Sequence, residues 1–207
     1  MSLKMKFYTM ISSSEFFAHL DRLTLSTPYP TNLSELPNEM HDHILESFQE
    51  DYGRYYFGQG PISLKKVTDF PGLLATLLYR VSRYLYLRNR EDRALITSNA
   101  ARYLTHMELY YSADIGPGLK INHGLGLVVG ARVKLGRQAL LHHNVTLGEK
   151  NGGRPEIGNE VTIYPGAIII GKVHIGDKST VGANSLVMHT FPQKALLVGS
   201  PAQNLRA

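Results

Sequence analysis

Histidines in the second half of the chain are the side chains best suited to acid–base chemistry. His123 lies in KINHGLGLVVG, residues 120–130, and His143 lies in LLHHNVTLG, residues 140–148. Imidazole is the side chain whose pKa lies nearest neutrality, so either ring can move a proton at physiological pH. Cysteine is absent, which excludes thiolate nucleophiles, thiolate metal ligands and disulfides. The elements around the two histidines therefore decide which chemistry is available.

The second half of the chain repeats every six residues. Aliphatic residues form three ladders at this spacing: Leu109, Ile115 and Ile121; then Val129, Leu135, Leu141 and Leu147; then Ile157, Ile163, Ile169, Ile175, Val181 and Val187. An aliphatic residue at every sixth position is typical of a parallel β-helix, in which three short strands make one coil. An ordinary β-sandwich would instead show period-two alternation with irregular turn spacing. We predict a β-helix.

The six-residue count is interrupted twice. Ile121 and Val129 are eight residues apart, and this first insertion contains His123. Leu147 and Ile157 are ten residues apart, and the second insertion is the polar stretch GEKNGGRPE, residues 148–156. In repeat proteins such insertions form loops that often carry function. The first should let the chain leave the tight coil and present His123 in a cleft.

The first half of the chain follows different rules. Of 12 Tyr and 7 Phe, only Tyr164 and Phe191 lie after position 111, whereas 15 of 19 glycines lie after position 112. Ser12 and Glu15 have the spacing of a helical capping box. Leucine and valine residues between positions 73 and 85 recur on one helical face, a further helix is predicted in 90–107, and loops are predicted at 26–37 and 56–63. We predict an α+β protein with a helical domain at 1–106 and a β-helix at 107–207.

Charge and hydropathy exclude several classes of partner. The net charge of +5 arises after position 110, where 10 Lys and Arg face 5 Asp and Glu. This excess suits an anionic ligand, but no dense basic run with aromatics indicates nucleic acid. The most apolar segment, 70–87, is interrupted by Arg80 and Arg83 and is too short to span a bilayer. With no export signal and no cysteine, a cytoplasmic protein is expected.

Four segments resemble the hexapeptide acyltransferases, and within them the serine acetyltransferase group. They are ELYYSADIGPGLKINHGLGLVVGARVKLG, HNVTLG, VGSPAQ and, in the helical half, FPGLLATLLYRVSRYLY. The resemblance implies a left-handed parallel β-helix and a homotrimer, with a dimer of trimers as the alternative assembly. It further implies direct transfer of an acetyl group from acetyl-CoA to an acceptor hydroxyl, without a metal, in a site between two subunits.

The resemblance also implies roles for individual residues. His123 falls on the family's general base, and Glu108 on the carboxylate that holds that base. Asn122 stands where the family has an aspartate for the substrate amine, and Arg154 is a further candidate for binding the acceptor. Three rungs forward from Ile121 is Leu141, so His143 should stack over His123 and line the cleft, with His142 at the surface. For coenzyme A the matching positions are Thr146, Gly148, Ala167, Gly182, Ser185 and Lys194.

The identity of the acceptor stays open between two hydroxyl compounds. The resemblance in the helical half favours L-serine and a role in cysteine biosynthesis. The neutral Asn122, the longer side chain of Glu108 and the shortened second insertion favour a sugar hydroxyl in cell-surface polysaccharide synthesis. The chain ends at GSPAQNLRA, without the tail that serine acetyltransferases insert into cysteine synthase, so no such complex is expected.

Two further interpretations compete with an acetyltransferase. A zinc-dependent carbonic anhydrase of β-helical type needs three converging imidazoles. The five histidines of the repeats lack the four-residue separation that this type uses. A trimeric assembly module without catalysis would bind no acetyl-CoA and would be indifferent to His123.

Overall fold

The computed structural model describes residues 11–55 and 60–206, which form a helical half followed by a parallel β-helix. The helices are α1 (Ser13–Thr24), α2 (Asn38–Gly53), α3 (Leu64–Asp69), α4 (Pro71–Tyr86) and α5 (Glu91–Thr105), with a 3₁₀ turn at Leu33–Glu35. The predicted fold class, helices followed by a β-helix, is confirmed. Residues 56–59 of the predicted second loop lie outside the described residues.

Local sequence signals account for the helices. The capping box at the start of α1 is present: the Glu15 N–H donates to Ser12 Oγ at 3.3 Å, and the Ser12 N–H donates to Glu15 Oε2 at 3.1 Å. In α4 the predicted apolar face is buried. The last helix, α5, ends where His106 adopts a left-handed conformation with φ of 57°. The first strand begins two residues later, at Glu108.

Fifteen short strands make up the rest of the described chain. They are β1 (Glu108–Leu109), β2 (Asp114–Ile115), β3 (Lys120–Asn122), β4 (Val128–Val129), β5 (Lys134–Leu135), β6 (Leu140–His142), β7 (Thr146–Gly148), β8 (Glu156–Ile157), β9 (Thr162–Ile163), β10 (Ile168–Ile170), β11 (His174–Ile175), β12 (Thr180–Val181), β13 (Leu186–Val187), β14 (Leu196–Gly199) and β15 (Ala202–Asn204). From β1 to β13, successive strands belong to three sheets in turn, as a β-helix requires.

Each sheet is one wall of the β-helix. Sheet 1 is β1-β4-β7-β10-β13, sheet 2 is β2-β5-β8-β11, and sheet 3 is β3-β6-β9-β12-β14 with β15 antiparallel at its end. The pairing places ladder residues opposite one another: Ile121 pairs with Leu141, and Leu135 with Ile157. Both insertions are therefore absorbed as loops. The ladder side chains fill the interior and are at most 5% exposed.

Both insertions border the same wall. The first connects β3 of sheet 3 to β4 of sheet 1, and the second connects β7 of sheet 1 to β8 of sheet 2. Sheet 1 also has an apolar outer surface, because the residues that alternate with its ladder include Val128, Ile168, Ile170, Leu186 and Met188. Sheet 2 is polar outside, with an ion pair between Lys134 and Glu156. Sheet 1 is thus the wall most suited to contact another apolar surface.

Side chains of the helical half close the open end of the β-helix. The first strands have no preceding coil, so their backbone polar groups need other partners. The Tyr79 hydroxyl donates to Ala113 O at 2.8 Å and accepts from the Ile115 N–H at 3.0 Å. The Tyr55 hydroxyl bonds in the same way to both backbone groups of Ile121, at 3.2 and 2.9 Å. The two tyrosine hydroxyls therefore make hydrogen bonds that a preceding strand would otherwise make.

A buried ion pair completes this closure. Arg80 Nε donates to Asp51 Oδ2 at 2.8 Å, and the Asp51 side chain is fully buried. Asp51 also accepts the Leu119 N–H at 2.7 Å, while Arg80 donates to the carbonyls of Ile115 and Gly116. Burial raises the pKa of the Asp51 carboxyl, and the guanidinium of Arg80 opposes that rise. The pair joins α2, α4 and the first coil.

No helix among the described residues is long and apolar enough to cross a membrane. Within 11–55 and 60–206, no three His, Asp or Glu side chains are grouped as metal ligands would be.

Candidate active site

The first insertion forms two consecutive tight turns. The Gly124 N–H donates to Asn122 O at 2.8 Å, which makes a three-residue turn centred on His123, whose φ is 65°. The Leu127 N–H then donates to Gly124 O at 2.9 Å, with Gly126 at φ of 71°. Glycine suits the positive φ at this position of a β-turn. The extra residues thus build a projection from which His123 reaches solvent.

The next coil and the end of α5 hold this projection in place. The Asn144 N–H donates to Leu125 O at 2.8 Å, and the Gly126 N–H donates to His106 O at 3.1 Å. Met107 packs beneath Gly124 so closely that a Cβ at this glycine would clash with its side chain. His123 is exposed, and these contacts hold the three residues that follow it.

His143 lies next to His123. The ring centroids are 5.8 Å apart and the planes are inclined by 77°. His143 Nδ1 is buried and has no hydrogen-bond partner among the described residues. Buried polar atoms in proteins are usually paired, and the described residues contain one other such imidazole nitrogen, His41 Nδ1 in the helical half.

A second pair of side chains lies beside the histidines on sheet 3. Asn122 is opposite His142 in the strand register, and Asn122 Nδ2 lies 3.3 Å from His142 Nε2. The His142 ring stacks on Tyr164, with centroids 5.1 Å apart and planes inclined by 12°. His142 faces outward as expected, and its ring is half-buried because it packs between these partners. The six-residue repeat could have predicted this pair, since it places residues 122 and 142 side by side on neighbouring strands.

Glu108 has a different partner from the one expected. Its Oε2 accepts a hydrogen bond from Arg102 Nη1 of α5 at 3.1 Å, and its side chain is 27% exposed. In the described residues the carboxylate makes no hydrogen bond to His123. A role for Glu108 as the partner of the base stays a prediction.

The second insertion places Arg154 on the opposite side of sheet 1 from His123. Lys150 and Gly153 exchange two backbone hydrogen bonds of 3.0 Å around Asn151 and Gly152, both of which have positive φ. This is a two-residue hairpin of the type that an Asn-Gly pair favours. Arg154 Nη1 donates to Gly152 O at 3.1 Å. His123 thus precedes a strand of sheet 1 and Arg154 follows one, so the two residues lie at opposite ends of the strands of this sheet.

Comparison with known proteins identifies the family. A model of bacterial transferase hexapeptide repeats matches residues 154–189. A serine acetyltransferase of Helicobacter pylori is 36% identical over 140 residues, which cover 66% of this chain and 82% of that protein. The chain belongs to the serine acetyltransferase family. A relative with the same name from Staphylococcus epidermidis is 32% identical over 165 residues, which cover 76% of this chain and 77% of the relative.

Solved serine acetyltransferase structures share the whole fold. Soybean serine acetyltransferase complexed with serine superimposes with a TM-score of 0.80 at 27% identity, covering 93% of this chain and 84% of that one. A serine acetyltransferase in complex with CoA has a TM-score of 0.75 at 25% identity, with coverage of 93% and 83%. The resemblance found from the sequence is confirmed.

Two of the positions matched to the serine acetyltransferase family for coenzyme A are buried in this chain. Ala167 and Ser185 are 0% and 1% exposed. The Ala167 carbonyl accepts the Thr146 N–H, and Ser185 Oγ accepts the Gly199 N–H at 3.3 Å. These contacts lie within one chain, so a role for either residue in binding coenzyme A stays a prediction.

The remaining four positions are dispersed over the β-helix. Thr146 and Gly148 lie on the outer surface of sheet 1. Gly182 follows β12 at the corner between sheets 3 and 1, and the exposed Lys194 lies between sheets 2 and 3. Within one chain these four positions lie on different walls and corners of the β-helix.

Proposed function

We propose that this protein transfers the acetyl group of acetyl-CoA to the hydroxyl of L-serine. The observation that carries the proposal is the exposed His123, held on its own inserted turn beside the unpaired nitrogen of His143, in a chain of the serine acetyltransferase family. A β-helical scaffold or an assembly module without catalysis would not need a histidine held on an inserted turn.

The chemistry needs one base and no covalent enzyme intermediate. As the serine oxygen attacks the thioester carbonyl, the His123 imidazole takes the hydroxyl proton. The tetrahedral intermediate then breaks its carbon–sulfur bond, and the imidazolium returns the proton to the departing thiolate. The products are O-acetylserine and coenzyme A, so atoms and charges balance.

The donor is proposed to lie along the outer surface of sheet 1. A groove of about 590 Å³ beside the second insertion is lined by residues that include Lys150, Lys172, Ile170 and Met188. Two ammonium groups beside apolar side chains suit a ligand with phosphates and an aliphatic arm. A neighbour solved in complex with CoA supports acetyl-CoA as the donor.

A sugar hydroxyl is the second candidate acceptor. Asn122 is neutral, and a neutral amide binds an ammonium less strongly than a carboxylate does. Neighbours solved in complex with serine support L-serine as the first candidate.

Thiol release from acetyl-CoA by the wild-type protein separates these acceptors. We expect release with L-serine and formation of O-acetylserine, detected by mass spectrometry. A panel of monosaccharides and short oligosaccharides is run in parallel. Turnover with sugars and none with serine would move the protein to the second candidate, and no acetyl-CoA-dependent reaction with any acceptor would contradict the proposal.

The site is proposed to be shared between two copies of the chain in a trimer. Sheet 1 has an apolar outer surface, and His123 and Arg154 border opposite edges of it. Packing a second copy against this wall buries the apolar surface and brings one copy's Arg154 toward the other's His123.

Mixing subunits tests the shared site. We expect His123→Ala and Arg154→Ala proteins each to lose activity alone. After dissociation and reassembly at equal amounts, about a quarter of the sites combine an intact His123 with an intact Arg154 from the neighbour, so about a quarter of wild-type activity should return. Two inactive variants that never complement, or a fully active Arg154→Ala protein, would contradict this arrangement.

A further inference from the structure

The Asn122 amide is held in one orientation by the histidine of the next coil. His142 Nδ1 lies 2.9 Å from the carbonyl oxygen of Ile163. A carbonyl oxygen only accepts, so Nδ1 carries the proton and Nε2 of the neutral ring carries a lone pair. Asn122 faces this lone pair at 3.3 Å and must donate to it through Nδ2.

This chain of hydrogen bonds fixes how the Asn122 amide is turned. One of the two N–H groups of Nδ2 is bonded to His142, and Oδ1 therefore faces away from that ring. Tyr164 stacks on the His142 ring on the side of the following coil and limits its rotation. The row Asn122–His142–Tyr164 runs along sheet 3 directly beside the His123 turn.

We propose that His142 is a positioning residue that makes Asn122 a hydrogen-bond acceptor for the ammonium group of the amino-acid substrate. The proposal deepens the proposed function and rests on it. A free amide would present its N–H₂ as readily as its oxygen, and N–H₂ facing an ammonium is repulsive. By orienting the amide, His142 lets the neutral Asn122 bind the substrate ammonium in part as a carboxylate would.

The test compares two acceptors that differ only in the amine. L-Serine carries the ammonium group, and 3-hydroxypropionate has the same hydroxyl and carboxylate without it. His142→Phe keeps a ring to stack on Tyr164 but removes both nitrogens. We expect KM for L-serine to rise about twofold, because the orientation that presents Oδ1 then falls to about half of the molecules. We expect KM for 3-hydroxypropionate to stay at its wild-type value, since that acceptor has no ammonium to lose a contact.

A double-mutant cycle shows whether the effect passes through Asn122. In an Asn122→Ala background, His142→Phe should cause no further rise in KM for L-serine. Equal effects on the two acceptors, or additive effects of the two substitutions, would overturn the proposal, because a merely structural role for His142 produces both.

A measurement on the protein alone separates this inference from the proposed function. Long-range ¹H–¹⁵N NMR of the histidine rings should show His142 protonated at Nδ1 and unprotonated at Nε2. Protonation at Nε2 overturns the inference whatever the acceptor is. The expected tautomer together with no thiol release from serine would contradict the proposed function instead, and with it the assignment of an ammonium as the group bound by Asn122.

Discussion

Replacing His123 by alanine is expected to lower kcat for acetyl transfer by a factor of about 10² to 10⁴, the usual contribution of a general base. The substrate hydroxyl then has no imidazole to take its proton as it attacks the thioester. The KM for acetyl-CoA should change little, because the ring acts on the acceptor. Steady-state thiol release at saturating acetyl-CoA and L-serine measures both parameters.

A second histidine of the β-helix provides the matched control. His174 is exposed on the outer surface of sheet 2, the wall that the first insertion does not border. His174→Ala should retain wild-type turnover. If the two alanine variants have equal activity, His123 is not the base and the proposed site is wrong.

Replacing Asp51 by alanine is expected to lower the free energy of unfolding by about 3 to 5 kcal/mol. The substitution leaves the guanidinium of Arg80 buried without its counter-charge, and it leaves the Leu119 N–H without an acceptor. Denaturant unfolding, followed by circular dichroism at one protein concentration, measures the change. The concentration must be constant because assembly adds to apparent stability.

Two substitutions with smaller expected effects test the closure of the open end if the Asp51→Ala protein does not fold. Tyr79→Phe removes only the hydroxyl that bonds to Ala113 and Ile115, and we expect a loss of about 1 to 3 kcal/mol. Asp69→Ala breaks an exposed ion pair with Lys65 and should cost less than about 1 kcal/mol. If Asp69→Ala and Tyr79→Phe are equally tolerated, the helical half does not stabilise the open end as described.

The sequence predicted which site residues lie close together wherever the six-residue repeat alone decides their positions. A fixed number of residues per coil allowed counting from Ile121 to Leu141, and the structure places His143 beside His123. The same count did not reveal the hydrogen bonds of Glu108 or His142. These depend on side-chain rotamers and on neighbours such as Arg102, which comes from a helix outside the repeat.

The sequence by itself determined the β-helix, the helical half and the two insertions. Aliphatic residues at every sixth position can be buried together only in a coil of that period. The capping box of α1 and the apolar face of α4 are likewise local patterns that need no knowledge of distant residues.

Only the tertiary structure decided how the two halves join and which wall carries the insertions. Tyr55, Tyr79, Asp51 and Arg80 satisfy backbone groups at least 34 residues away along the chain. No local pattern marks a tyrosine that will replace a missing strand, because its partner is an unpaired edge formed elsewhere in the fold. The same holds for sheet 1. Its apolar surface and its two bordering loops become one feature only when successive coils stack, and that stacking places His123 and Arg154 at opposite edges of one wall.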